Sequence, residues 1–203
     1  MDKNFFQTRQ IIEYCLKYIN GRVGDIGAGT AKYKTKILSV ASSYTSFDVV
    51  PGENVDVVGD VLNMPFNDDF FDTIISTQVL EHVEKPWIMV KEISRVLKPG
   101  GVCILTVPFL ISYHPDPTDF FRYTKDGVES LFKNENFEVI DSGTYGRLFS
   151  TFLEIIHIGY FRQKKFKGQE RILKYLQKLA GWLDKFVKNR NVYCNVYIIA
   201  RKK

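Results

Sequence analysis

Along the first 145 residues the apolar positions alternate between two spacings. "RVGDI", "YTSFDVV", "NVDVVGDV", "FDTIIST" and "VCILTVP" are short apolar runs of strand length. "TAKYKTKILSVA", "PWIMVKEISRVL" and "TKDGVESLFKNE" instead return an apolar residue every three or four positions, as helices do. Phe5, Ile12, Leu16 and Ile19 predict a leading helix over about Phe5 to Tyr18, ended by Asn20-Gly21. Pro86 suits the first turn of its helix, "KPGG" closes that helix, and "FEVIDSGTY" adds a strand. Short strands that are apolar on both faces and separated by helices predict an α/β fold, with a mostly parallel sheet and helices on both faces.

After Tyr145 the pattern changes. About 45 residues intervene before a last strand, "NVYCNVYIIARKK", and they read as a helical insertion over about 147–190. "RLFSTFLEIIHIGYF" is largely apolar, with Glu154 and His157 one turn apart, a spacing that suits an intrahelical hydrogen bond better than a catalytic pair. "ERILKYLQKLAGWLDKFVK" puts Ile172, Leu176, Leu179, Leu183 and Phe186 on one face and Arg171, Lys174, Lys178, Lys185 and Lys188 on another. Such a helix can cover a pocket, lie on an anionic membrane or form a homodimer face.

With 203 residues, 45% of them hydrophobic, the chain suits one domain over 1–203, its core at about 20–145 completed by the last strand at 191–201. Between Arg162 and Arg190 ten Lys or Arg face two acids, more excess charge than the +5 of the whole chain. The basic character therefore belongs to the insertion, and the remainder is net acidic. Nucleic acid is a disfavoured partner, because the aromatics of 162–190 fall in the apolar stripe; peripheral membrane contact through that segment is the alternative weighed. Cys15, Cys103 and Cys194 form no CxxC pair, so neither a disulfide framework, a zinc site nor any other metal site is expected, and a cytoplasmic setting follows. Neither a secretory signal nor an uninterrupted apolar run of membrane-spanning length is evident.

The candidate chemistry starts at "VGDIGAGTA". Gly27 and Gly29 follow a strand, where the chain must turn sharply and approach a ligand closely. A dinucleotide loop wants a small residue where Lys32 stands and has no use for an acid at Asp25, whereas a cofactor carrying an amino group would favour Asp25. Asp48, ending "SFD", is placed for the two hydroxyls of a ribose, and Asp60 with the Val61 amide for an adenine edge. Three acids at the ends of three successive strands lie on the edge where such sheets bind ligands.

Together with "FDTIISTQVLEHVEKPWIMVKEISRVLKPGGVCILTVP" and "DFFRYT", these blocks resemble a class I S-adenosylmethionine-dependent methyltransferase, of the small Rossmann-like, methyltransferase type 11-like group. The resemblance covers about residues 20 to 145 and implies a seven-stranded sheet with S-adenosylmethionine as methyl donor. It implies that Asp25 holds the methionine amino group and that Gly27, Ala28 and Gly29 lie beneath methionine and ribose. Asp48 and Val49 would meet the ribose, Asp60 and Val61 the adenine, and Ser76, Thr77 and Gln78 the sulfonium side. The usual third glycine falls at Ala31, small enough for close helix packing.

Transfer to a hydroxyl also needs a base. "VLEHVEK" offers Glu81 and His82, and "PFLISYHPDPTDFFRYT" offers Tyr113, His114, Asp116, Asp119, Arg122 and Tyr123; of these His82, His114 and Asp119 are the candidates taken as catalytic. His114 is the better placed, in the loop after the fifth strand, whereas His82 reads first as a packing residue; Asp119 and Arg122 are spaced to form a fixed pair. The expected activity is O-methylation of a small-molecule, sugar or lipid-linked acceptor. Two rivals are a nicotinamide-dependent oxidoreductase and a non-catalytic module that holds a membrane or protein partner.

Overall fold

A computed structural model gives the structure of the chain and describes residues 5–161, 166, 168–187 and 191–203. Seven strands form one sheet: β1 (Arg22–Ile26), β2 (Ser43–Asp48), β3 (Val57–Val58), β4 (Phe71–Thr77), β5 (Leu97–Pro108), β6 (Phe137–Tyr145) and β7 (Asn195–Lys202). Their spatial order is β3-β2-β1-β4-β5-β7-β6, with β7 antiparallel to both neighbours and the first five strands paired in parallel. The helices are α1 (Thr8–Cys15), α2 (Lys34–Ile37), α3 (Pro86–Val96), α4 (Lys125–Asn134), α5 (Leu148–Ile156) and α6 (Gln169–Leu183).

The strand pleat sorts adjacent apolar residues onto opposite faces, which is why the central strands are apolar throughout. Ile74 and Leu105 join Ile26 and Phe47 under Met89 and Ile93 of α3 and Val128 and Phe132 of α4. Their neighbours Ile75 and Ile104 join Val23 under Ile11, Ile12 and Cys15 of α1 and Ile37 of α2. Burying each such side chain contributes about 1.5–3 kcal/mol, so the two faces together lock the register.

Two predicted elements are shorter than their sequence pattern. The helix expected over "TAKYKTKILSVA" is reduced to the single turn α2, because Ala31 adopts φ +51° and a left-handed residue cannot continue a right-handed helix. The strand expected over "NVDVVGDV" is only the two-residue edge strand β3. "KPGG", expected as a turn, forms the bent start of β5, with Gly100 at φ +78°.

The described part of the insertion is α5, a π turn at His157–Phe161, α6 and a short 3₁₀ turn at Asp184–Phe186. Asp184, fully buried, accepts hydrogen bonds from the Phe149 and Ser150 amides and the Ser150 hydroxyl. It thus caps the N-terminus of α5 from the far end of α6. The predicted basic residues Arg162, Lys164, Lys165, Lys167, Lys188 and Arg190 lie outside the described residues. No helix among the described residues is long and apolar enough to cross a membrane.

Candidate active site

Beyond the carboxyl ends of β1, β2 and β4 lies a cleft of about 600 Å³. At one end are Gly27, Gly29, Asp48 and Asp60, and at the other Gln78, His82, Asp116 and Thr118. Val49, Val61, Leu62, Val79 and Val83 make its walls largely apolar.

The first end is built by backbone geometry. Gly27 has φ +74°, and a Cβ there would lie 2.2 Å from the Val79 side chain, so only glycine closes this turn. The Gly27 and Ala28 amides both donate to the Phe47 carbonyl at 2.8 and 3.1 Å, fastening the loop to β2. Gly29 has open space where a side chain would stand, and its amide donates to Asp48 Oδ2 at 2.8 Å. Val50 N donates to Asp48 Oδ1 at 3.0 Å, and Leu62 N to Asp60 Oδ1 at 2.9 Å. Each carboxylate oxygen keeps a second lone pair for a ligand hydroxyl or amine. Val49 and Val50 are exposed, an apolar wall that a flat ring would cover.

Asp25 sits behind this wall. It is buried at 4% exposure, accepts a hydrogen bond from the Tyr44 hydroxyl and does not line the cleft. Burial pushes its carboxyl up to about 6, against the pull of Tyr44 and Lys32. Ala28 and Thr77 also lie outside the lining, and Ser76 is fully buried with its hydroxyl on the Ile26 carbonyl. Of the Ser76–Gln78 trio only Gln78 reaches the cleft. It has φ +58°, and its Nε2 donates to Thr106 Oγ1 at 3.1 Å with the Tyr145 hydroxyl 3.5 Å away. The N-terminus of α2 does not reach the glycine loop, since this helix is one turn long and starts five residues after Gly29. The loop's own amides and side chains must do that work.

The other end is a clasp between two segments. The 3₁₀ turn Leu80–His82 and the loop before α4 hold each other: the Phe120 amide donates to the Glu81 carbonyl at 2.8 Å, Thr118 Oγ1 to the His82 carbonyl at 3.2 Å, and His82 Nδ1 to the Thr118 carbonyl. Arg122 braces the loop by a bidentate pair with Asp119, 2.6 Å on its Nη2 side. The guanidinium holds Asp119 down to about 2. Asp119 also accepts from the His114 amide at 2.9 Å, and its side chain is fully shielded from solvent. His114 Nδ1 donates to the Ser112 carbonyl at 2.9 Å, and its ring packs edge-on to His82 at 5.3 Å. The structure therefore reverses the expected order of the two histidines: His82 lines the cleft, while His114 stands behind it and Asp119 is tied up in the brace.

Glu81 lies under His82. It is fully buried, neither carboxylate oxygen has a hydrogen-bond partner among the described residues, and its Oε1 is 3.7 Å from His82 Nε2. Burial pushes this carboxyl up to about 8. One ligand atom each of Glu81, His82 and His114 lies within 4.8 Å of the other two, a convergence that could hold a metal ion, although the sequence led to no such expectation. Thr118 and Tyr145 are the neighbours that sequence reasoning did not assign to this region. Glu81 was a candidate beside His82 from the chain alone, but its burial was not visible there.

Residues 24–105 match a family described as a methyltransferase domain. Residues 24–105, about two fifths of the chain, thus resemble a class I S-adenosylmethionine-dependent methyltransferase domain. S-adenosylmethionine is the cofactor of that family, and the glycine gap, the two carboxylates and the exposed valine wall fit its adenosine. Among curated relatives, a probable tRNA methyltransferase 9B of Mus musculus is 36% identical over 94 residues, covering 42% of this chain and 21% of that protein. The chain spans between 21% and 37% of the length of that protein and of an uncharacterized methyltransferase of Mycobacterium avium, which is 30% identical over 95 residues, 40% of this chain. Among solved structures, a protein described as a methyltransferase from Bacillus halodurans superposes with a TM-score of 0.64 at 17% identity, over 96% of this chain and 97% of that one. At such identity the likeness concerns the fold alone.

Proposed function

We propose that the methyltransferase uses its cleft to methylate a hydroxyl of a small, sugar-like or lipid-linked acceptor, with His82 as proton acceptor. The observation that carries this reading is the continuity of one cleft from the glycine loop and Asp48 to His82, Asp116 and Thr118. Asp48 takes the ribose hydroxyls, Asp60 and the Val61 amide the adenine edge, and Asp25 supplies a buried negative charge beneath the methionine end. When bound, S-adenosylmethionine supplies an electrophilic methyl group whose transfer to a hydroxyl releases one proton.

His82 is prepared for that proton. With Nδ1–H donating to the Thr118 carbonyl, the neutral ring carries its lone pair on Nε2, and the imidazolium formed there stands 3.7 Å from the Glu81 carboxyl. His114 and the Asp119–Arg122 brace fix the ring from behind. Asp116 and Thr118 offer polar contacts for an acceptor rich in hydroxyls.

A labelled-methyl transfer screen against sugar, lipid and phenolic extracts tests the reading. His82→Ala lowers kcat by roughly 10²- to 10⁴-fold, and Asp48→Ala raises the donor KM about tenfold or more with a smaller effect on kcat. Undiminished kcat in His82→Ala overturns the proton-acceptor role. The convergence of Glu81, His82 and His114 supports one second reading, a bound divalent cation that activates the hydroxyl. Activity lost in a chelator and restored by Mn²⁺ or Zn²⁺ favours that reading, and activity unaffected by chelator favours His82 as base.

A further inference from the structure

The insertion leaves an apolar stripe facing outward. Ile172, Tyr175, Leu179, Trp182 and Phe186 recur at steps of three and four along α6 and the turn after it, and they are 49%, 69%, 40%, 53% and 70% exposed. They are distinct from the buried side of the same helix, which carries Gln169 and Ala180, with Leu176 and Leu183 half-buried. The apolar face expected from sequence is therefore split. Leu176 and Leu183 turn inward, Ile172, Leu179 and Phe186 turn outward, and Tyr175 and Trp182 join the outer set. Trp182 and Phe186 pack edge to face at 5.2 Å, forming one aromatic knob. The neighbouring α5 leaves Leu148, Phe149, Phe152 and Ile155 exposed as well.

At 3.6 residues per turn, Arg171, Lys174, Lys178 and Lys185 fall together in the sector beside the stripe, away from the buried side, and all four are exposed. Each long cation can lay its stem along apolar surface and keep its charge at the polar boundary. A helix whose outward half is part aromatic and aliphatic, part lysine, matches the in-plane geometry of an interfacial helix. A second copy of the chain is a poor occupant, because a two-fold contact would bring two surfaces of the same strong positive charge together.

We propose that α6 docks the enzyme on an anionic lipid surface, with the Ile172–Phe186 stripe in the acyl boundary and the adjacent cations on the headgroups. This goes beyond the acceptor reading and does not depend on it, since docking is measured without donor or acceptor. A cavity of about 200 Å³ lies on the inner side of the same helix pair, lined by Leu153 and Glu154 of α5, Gln177 of α6, and Tyr145 and Asn195. The Tyr145 hydroxyl stands 3.5 Å from Gln78, a cleft residue, so the docked face and the cofactor cleft are separated by a few side chains.

The test is flotation of the full chain with vesicles of phosphatidylcholine alone or with about one third phosphatidylglycerol. Binding is expected with the anionic vesicles only and is reduced at high salt. Lys174→Gln, Lys178→Gln and Lys185→Gln together weaken it on the order of a hundredfold, at roughly fivefold per lysine. Ile172→Ser with Trp182→Ser and Phe186→Ser abolishes it; these surface changes leave the circular dichroism and melting temperature in place. In a Trp87→Phe background, Trp182 fluorescence shifts to the blue on adding anionic vesicles. No flotation, or flotation untouched by the serine variant, overturns the proposal. So does a dimer in sedimentation that the serine variant breaks while vesicles remain unbound, which assigns the stripe to a second copy.

Discussion

Asp25 shows what burying a single carboxyl costs the fold. Its carboxyl titrates near 3.8 in an unfolded chain and at about 6 when buried in the folded one. The raised value favours the neutral form, so the associated stability is fully present below pH 3.8 and is lost as pH rises through 6, by about 3 kcal/mol in total. Asp25→Asn is therefore expected to be more stable than the parent at pH 8 but not at pH 4, by urea denaturation, while binding S-adenosylhomocysteine less tightly. Ala31 is the second case. Its small size was visible in the chain, but its φ of +51° was not, and the role of the usual glycine there is backbone freedom more than close packing. Ala31→Gly should gain about 1 kcal/mol, a rise of about 2–4 °C in melting temperature by calorimetry.

Among the elements, the cap on α5 was the least legible. In the sequence Asp184 is one of two acids in a basic segment; in the fold its carboxylate accepts the Phe149 and Ser150 amides across 35 and 34 residues. Removing a carboxylate acceptor from these half-buried amides costs about 1.5–3 kcal/mol. Asp184→Ala should accordingly increase hydrogen exchange and proteolytic cleavage over 148–187, with little change in the amides of β4 and β5. The opposite case is α4, whose start at Thr124 was readable because the cap is local: Thr124 Oγ1 accepts from the Gly127 amide at 3.1 Å. Local caps and apolar spacing can be seen in a window of a few residues, whereas contacts across dozens of residues cannot.

For the whole molecule, burial of all three cysteines gives a cooperative readout. Cys15, Cys103 and Cys194 are free and buried, and burial raises the thiols of Cys103 and Cys194 far above the usual range. A thiol reagent should be excluded from the native protein and react at a rate that follows global unfolding across a urea series. On the same scale the chain by itself determined the sheet, its strand-helix alternation and the acids at the strand ends, because hydrophobic periodicity and glycine turns act over short distances. Tertiary structure alone decided which histidine reaches the cleft, that Glu81 lies buried beneath it with no hydrogen-bond partner among the described residues, and that three of the five residues of the expected apolar face turn outward. Those outcomes depend on how distant segments pack, and one face of a helix has no inside or outside until the rest of the chain has taken its place.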